Sequence, residues 1–472
     1  MKEKKIAIIG GGIAGASTAL FLGSMGIKVT LFERERSLVG GPPFCHLHAG
    51  GNLYPDISDE QCMTLLRQSI DFARLFPQAI DHRPTVIALP TEGCGMRVED
   101  LLPRLHKLRD YYQTSIQEDP KNQVLGEYAS YFKLYTQEKL EQLKPLATPQ
   151  TPRSFDEWMI PVAQHLDFNT VQFPLILVQE YGINLFRASA ILSLALQNLE
   201  SVEVCFESNV IDIQQKDSNW YLSHQINKHT STAKFDYVIN ATGFRTGTID
   251  DMIGIECKKM VEFKAAYVSQ WESMCNQHFP EIIFHGKRGT PNGMGQFTPY
   301  PNGYFQLHGM TEEITLYPDG LVKNSPISCQ PKLPQKFVSK IETSWNPKEI
   351  AQRTQKAIQH LSRFIPRFSQ ATIGSKPLYG AQQIPGEDPS LRVAEVAFPA
   401  PYYARCEIVK VSSVLDMVSE IINDLQALHL LPMDRQYPTI HTKIEEKEIQ
   451  QRAEKIAQQR NYPQSLSQIN CP

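Results

Sequence analysis

The sequence predicts an α/β fold, with one lobe on a parallel sheet and a second lobe of mostly antiparallel strands and helices. Three observations predict it. Residues 5–33 read as a complete β-α-β unit, with an apolar run at 6–9, helical periodicity over 14–25 and a second strand at 29–32. Short strands return at 202–213, 220–222 and 234–240, the last running into Ala241-Thr242-Gly243. From 260 to 308 the chain is strand-rich, and Asn302-Gly303 between tyrosines signals a hairpin with a type I′ pair.

The first unit carries the chemistry. Gly10, Gly12 and Gly15 stand at G-x-G-x-x-G spacing between strand and helix. The first glycine permits the tight turn, the second lets backbone N–H groups approach a pyrophosphate, and the third lets the helix pack close to the sheet. The helix start, at Ile13 and Ala14, then offers unpaired N–H groups and a positive dipole end to the phosphates. Glu33 follows at about twenty residues, where a carboxylate accepts hydrogen bonds from an adenosine ribose. A dinucleotide site is therefore expected.

Composition sets the outer bounds. A chain of 472 residues favours two lobes over a single core. A formal net charge of −3 argues against global attraction to nucleic acid or to an anionic membrane. No uncharged apolar run reaches the roughly eighteen residues that a membrane span needs. The chain enters its first strand within a few residues of Met1, leaving no room for a targeting peptide. Nine cysteines without a C-x-x-C pair fit scattered reduced thiols and a cytoplasmic protein, and no metal-ligand set is read.

The rest of the chain follows in order. Residues 34–54 form a loop rich in glycine, proline and histidine, suited to lie against something flat. A helix is expected over 59–76, opened by Ser58 or Asp59 and stopped by Pro77, then a strand at 85–90. Residues 101–143 look mostly helical and 147–153 a connector. A strand and turn at 173–184 precede a helix over 185–199. Further helices are expected over 347–364, capped by Asn346, and over 412–425. Residues 434–472 are polar with weak periodicity, and the charge-balanced stretch from Lys443 reads as a solvated helix or else a docking segment.

Four stretches together resemble the FAD-dependent D-amino-acid oxidase superfamily, which includes glycine and sarcosine oxidases and 2-hydroxyglutarate and glycerol-3-phosphate dehydrogenases. The first is the unit at Gly10, Gly12, Gly15 and Glu33. The second, His48-Ala49-Gly50-Gly51-Asn52-Leu53-Tyr54-Pro55, is similar to the loop along the isoalloxazine ring. The third joins Phe206 to Val210 with Asp236 to Gly243, resembling the adenine-side strand and second dinucleotide motif. The fourth, from Thr298 to Glu313, is similar to a hairpin ending in Gly-x-Thr-x-Glu. The resemblance spans 5–425 and implies a Rossmann-type FAD-binding domain from 1–80, 160–255 and 374–430. A substrate-covering domain would take 81–159 and 256–373, and a polar tail 431–472.

The resemblance implies FAD contacts at Gly10, Gly12, Ile13, Ala14, Gly15, Glu33, Arg34, Gly41, His48, Ala49, Gly50, Val210, Ala241, Thr242 and Gly243. The usual glycine-rich loop before the last helix is replaced here by 402–413, which makes Lys410 the candidate for a positive group near flavin N1/O2. His48 is either the proton acceptor or a backbone hydrogen-bonder. His46 and Cys45 raise a covalent flavin link, against non-covalent FAD as the simpler reading. Tyr300 and His308 either line the substrate pocket or face outward. Arg392 either clamps a substrate carboxylate or decorates the surface.

The implied activity is removal of a hydride from a small amine, amino acid or 2-hydroxy acid, with oxygen, a quinone or another acceptor taking the electrons. Three alternatives stand beside it. One is an NAD(P)H-dependent flavin monooxygenase, disfavoured by the lack of a Gly-Asp-Ala tripeptide. Another is a flavin domain fused to a tRNA methyltransferase, disfavoured by the lack of a second unit or basic stripe. The last is a flavin-binding protein without turnover, acting as a partner or subunit.

Overall fold

The computed structural model describes residues 4–41, 46–47, 49–52, 54–55, 57–432 and 444–470. Strand β1 (Lys5–Ile9), helix α1 (Ile13–Ser24) and strand β2 (Lys28–Phe32) form the expected unit. They sit in a six-stranded sheet ordered Val396–Ala400, Tyr403–Cys406, Tyr237–Asn240, β1, β2, Val202–Cys205. All neighbours run parallel except the outermost pair, Val396–Ala400 with Tyr403–Cys406. The continuous apolar run of β1 reflects burial on both faces. Ile6 and Ile8 join the core with α1, while Ala7 and Ile9 pack with Trp220 and Leu222 of a three-stranded antiparallel sheet.

Two glycines set how closely α1 approaches. Gly10 has φ of +97°, and a Cβ there would lie 2.6 Å from the Ala241 carbonyl oxygen. A Cβ on Gly15 would lie 1.9 Å from the Gly10 carbonyl oxygen, a clash between backbone elements that no rotamer change relieves. The helix therefore rests on the turn itself.

The second sheet is larger, ordered Leu321–Lys323, Lys259–Gln270, Tyr304–Gly309, Gly295–Tyr300, Glu281–Phe284, Thr85–Ala88, Leu175–Val178, Phe132–Tyr135, with Leu378–Pro385 and Thr372–Ile373 also paired to Lys259–Gln270. Strands 175–178 and 378–385, counted from sequence with the nucleotide-binding lobe, thus hydrogen-bond into the other sheet. Phe132–Tyr135 interrupts the stretch expected to be mostly helical, leaving helices at Leu102–Glu118 and Gln137–Leu143. Asn302 and Gly303 both take positive φ, as a type I′ pair requires, but Tyr300 pairs with Tyr304 and the loop holds three residues. Helices Asp59–Leu75 and Pro347–Ser362 start at Ser58 and Asn346, whose side chains accept from the Gln61 and Lys348 amides.

Strand alternation divides this sheet into two unlike faces. Phe263, Ala265, Tyr267, Phe297, Phe305 and Leu307 point into an apolar core shared with helix Pro347–Ser362. The opposite face begins apolar at Ala266 and Val268, which join the core of the nucleotide-binding lobe. Elsewhere it carries buried polar groups: Glu262, Glu281, Gln296, Thr298, Gln306 and His308.

The C-terminal segment differs from its expectation. Helix Glu446–Gln459 buries Ile449, Ala453, Ile456 and Ala457 in the main core, beside helix Leu185–Gln197. It is polar on average yet not solvated all round; four apolar positions at helical spacing suffice for one stripe. Among the described residues, no helix is long and apolar enough to cross a membrane.

A buried ion network joins the lobes. The His46 ring sits between Glu180 Oε1 (2.8 Å from Nε2) and Glu281 Oε1 (3.1 Å from Nδ1). Arg83 bridges Glu281 (2.8 Å) and Asp81 (2.6 Å). Burial works against a charged imidazole, but Glu281 and Glu180 outweigh it and raise the His46 pKa to about 10. Burial likewise opposes the Glu281 carboxylate, which His46 and Arg83 hold down at about 2.

Two outcomes follow from this packing. Gly15→Ala should destabilise the fold by about 1–3 kcal/mol in chemical unfolding, because helix and turn must part. His46→Gln leaves two buried carboxylates facing a neutral group and should cost about 3–5 kcal/mol. The His46 pKa is raised above its ordinary 6.5, so its contribution is complete below that value and is lost as pH climbs toward 10. Melting temperature should therefore fall between pH 7 and 10 in the wild type, and less steeply in His46→Gln.

Candidate active site

The candidate cradle for a dinucleotide is the junction of β1 and α1. Gly12 N-caps α1 without a side-chain hydrogen bond, and the first turn holds no acidic residue, so the helix start offers its N–H groups outward. A Cβ at Gly12 would meet nothing within 4 Å, which leaves room for a ligand to approach. The Glu33 carboxylate closes one side, accepting from the Gly11 amide (2.6 Å) and the Glu35 amide (2.8 Å). Burial raises its pKa despite those two bonds. On the other side Ala241 donates to the Ile9 carbonyl at 2.8 Å, and Gly243, at φ +60°, has open space at its Cβ position.

The remaining expected contacts divide. Val210 is buried at the start of strand Asn209–Lys216, near Ser208, whose amide donates to the Glu33 carbonyl at 2.9 Å. Arg34 turns to Glu35 (3.3 Å) and Glu342 (3.8 Å), and Arg245, after Gly243, reaches the same Glu342 at 2.6 Å. Ala49 and Gly50 lie in a buried turn, Gly50 at φ +80° against the Tyr131 hydroxyl. Gly41 is exposed. His48 and Cys45 lie outside the described residues.

A second constellation forms at the polar face of the large sheet. Lys264 Nζ lies 2.8 Å from Glu262 Oε2 and donates to Gln382 Oε1 at 2.9 Å. Arg288 pairs with the other Glu262 oxygen. Tyr54 is packed between cations, with Lys410 Nζ 4.6 Å and the Arg392 guanidinium 4.9 Å from its ring centroid. Lys410 also bonds the Tyr54 hydroxyl. Burial pushes the Tyr54 phenol up to about 12 against the pull of Arg392. Burial likewise lowers the Lys264 pKa, opposed by Glu262. The Glu262 carboxylate stays below its ordinary range because Lys264 and Arg288 outweigh its burial.

Lys410, Arg392 and His308 from the sequence reading thus come together here, with His308 in the field of Lys264 and Lys410. Burial, then Lys264, hold its pKa down to about 3. A neutral imidazole of that kind accepts a hydrogen bond and is a weak proton acceptor at neutral pH. Tyr300 stands one link away: its hydroxyl donates to Gln306 Oε1 at 3.3 Å, and Gln306 Nε2 lies 3.5 Å from His308 Nδ1. Sequence reasoning placed Tyr54 only within the loop 48–55, without a role, and missed Glu262, Lys264, Arg288 and Gln382. A signal existed for two of them, since Glu262 and Lys264 are charges two apart within the otherwise apolar run 260–268.

For a metal, the described residues offer one group, Asp250 with Cys257 and Cys329, their ligand atoms within 4.8 Å of one another. The Asp250 carboxylate is already engaged by Tyr403 (2.8 Å) and Arg405 (3.0 Å).

The sequence model of a family described as FAD dependent oxidoreductase matches residues 5–394. No curated protein matches the sequence. Among solved structures, glycine oxidase from Geobacillus kaustophilus is similar at TM-score 0.55 and 12% identity, over 90% of this chain and 95% of that one. The glycerol-3-phosphate dehydrogenase from Bacillus halodurans complexed with FAD gives 0.59 and 12%, over 98% and 74%. The L-alpha-glycerophosphate oxidase from Mycoplasma pneumoniae with FAD bound gives 0.55 and 16%, over 90% and 95%. These likenesses agree in fold, and the uncapped helix start, the open Gly12 and the Glu33 carboxylate fit the dinucleotide that the family match implies. On the strength of that match across most of its length, the chain belongs to the FAD dependent oxidoreductases.

Proposed function

We propose that this enzyme removes a hydride from a small amino acid, amine or 2-hydroxy acid that carries an acidic group. One observation carries the reading: among the described residues, Lys264, Arg288, Arg392 and Lys410 converge around Tyr54 and Glu262, with Glu180 the other carboxylate whose charge reaches Tyr54. Such an excess at a half-buried site calls for an anionic ligand. Bound FAD supplies the hydride acceptance. Arg392 and Arg288 bind the acidic group, arginine being suited to a bidentate carboxylate. Tyr54 and Lys410 orient it, and neutral His308 accepts a hydrogen bond from the amine or hydroxyl. The buried sheet face beneath keeps water from that side.

Similar structures include a glycine oxidase, an iminodiacetate oxidase and an L-proline dehydrogenase, which supports carboxylate-bearing substrates. The electron acceptor is proposed to be oxygen or a quinone, and the location cytoplasmic.

The test is anaerobic mixing of the holoenzyme with a panel of amino acids, 2-hydroxy acids and their decarboxylated counterparts, followed by flavin absorbance. Carboxylate-bearing members should bleach the flavin and the decarboxylated amines should not. Arg392→Ala should raise the half-saturating concentration roughly 30-fold or more, as loss of one partner of a charge pair does. Equal bleaching by the decarboxylated counterparts, or none by any member, overturns the reading.

A further inference from the structure

The C-terminal segment lies beyond the region matched by the family, which ends at residue 394, yet it reaches the cofactor cradle. Arg460, just past helix Glu446–Gln459, spends its whole guanidinium on residues 37–39. Nη1 donates to the Val39 carbonyl (3.0 Å), and Nη2 to the Leu38 carbonyl (2.6 Å) and Ser37 Oγ (3.0 Å). Nε donates to Ser37 Oγ at 3.3 Å. Those three residues close over the dinucleotide glycines: the Val39 amide donates to the Gly11 carbonyl at 2.8 Å, and Leu38 Cδ2 lies 2.7 Å from where a Gly11 Cβ would be.

The loop needs such support. Val39 holds φ of +56°, a left-handed conformation that a β-branched residue adopts only when its surroundings impose it. Two carbonyls in succession, Leu38 and Val39, point at Arg460, and Ser189 Oγ also donates to Leu38 at 2.7 Å. The guanidinium is half-buried, and no carboxylate lies within ion-pair distance of it among the described residues; Glu33 and Glu35 act on it from further off.

The same segment grips the other end of that loop. Asn470 donates to Asp81 from its amide (3.2 Å) and its side chain (3.0 Å), and Asp81 leads through Arg83 and Glu281 to His46.

We propose that residues 444–470 are an integral part of the FAD site, with Arg460 the positioning residue that holds 37–39 against Gly11. The inference rests on FAD binding and is independent of the substrate reading. It is tested by titrating FAD into deflavinated full-length protein and following quenching of flavin fluorescence. Arg460→Gln should weaken FAD binding about tenfold, the worth of one charge-assisted hydrogen bond, and Arg460→Lys should recover part of the loss. Tyr462→Phe is the control for mere stability. It removes a bond to the Pro377 carbonyl from the same segment without touching the loop, so it should lower the melting temperature and leave FAD affinity unchanged. Should Arg460→Gln fail to fold, Ser37→Ala removes two of the same bonds from the loop side and should weaken FAD several-fold. An affinity within twofold of wild type in the Arg460 or Ser37 variant, or an equal loss in Tyr462→Phe, overturns the proposal. A wild-type protein that takes up no FAD would instead overturn the cofactor assignment.

Discussion

The contact between Gly15 and the carbonyl of Gly10 is the constraint on which the nucleotide-binding lobe depends. With 1.9 Å between that oxygen and any Cβ, only a glycine lets α1 sit where its N-terminal amides face outward beside Glu33. Gly10 in turn sits against the Ala241 carbonyl, so the first and second dinucleotide motifs are fixed by one backbone stack. Parallel pairing of β1 with both β2 and Tyr237–Asn240 places those motifs side by side although more than two hundred residues separate them. The cradle is thus a property of strand order before it is a property of side chains.

This part was legible in the sequence because its signals are local. Glycine spacing, an apolar run and an acid at the right distance lie within one unit of about thirty residues. The second constellation was not, because it is assembled from distant segments whose residues look ordinary alone. Glu262 and Lys264 become meaningful only once Phe263 and Ala265 are seen to face the apolar core, since period-two alternation then turns both charges toward the other lobe. Arg392 carried no local signal beyond its residue type, and Arg288 drew no notice at all. Each gains a role from Tyr54 or Glu262, contributed from elsewhere in the chain. The tail misled for a related reason. Polar composition over 434–472 is an average, while burial of Ile449, Ala453, Ile456 and Ala457 depends on four positions and on helix Leu185–Gln197 being there to cover them.

The polar face of the large sheet explains why the lobes meet as they do. A buried carboxylate unpaired in an apolar seam would cost more than most single contacts return, so every one along this face has a cationic or hydrogen-bonding neighbour. Glu281 takes His46, Arg83, Gln296 and Thr298; Glu180 takes His46 and Asn52; Glu262 takes Lys264 and Arg288. His46 bridges Glu180, just past strand Leu175–Val178, and Glu281, at the start of strand Glu281–Phe284, and its loop continues toward Ala49 and Gly50. Pairing at the seam therefore also fixes the path of the loop at His46.

Along that face the charge balance changes in one direction. Around His46 and Arg83 carboxylates and cations alternate and largely cancel, with Asp81, Glu180 and Glu281 set against two cations. Around Tyr54 the balance reverses among the described residues: Lys264 and Arg288 pair with Glu262 while Arg392 and Lys410 lie over the tyrosine ring, and Glu180 acts on that ring from the neighbouring network. A half-buried cluster of like charges is stable only when something offsets it, whether solvent, a tyrosine ring or an incoming anion. The ring of Tyr54 offsets part through its π face toward Lys410 and Arg392. The remainder is what distinguishes this cluster from the His46 network, a structural ion network that closes on itself.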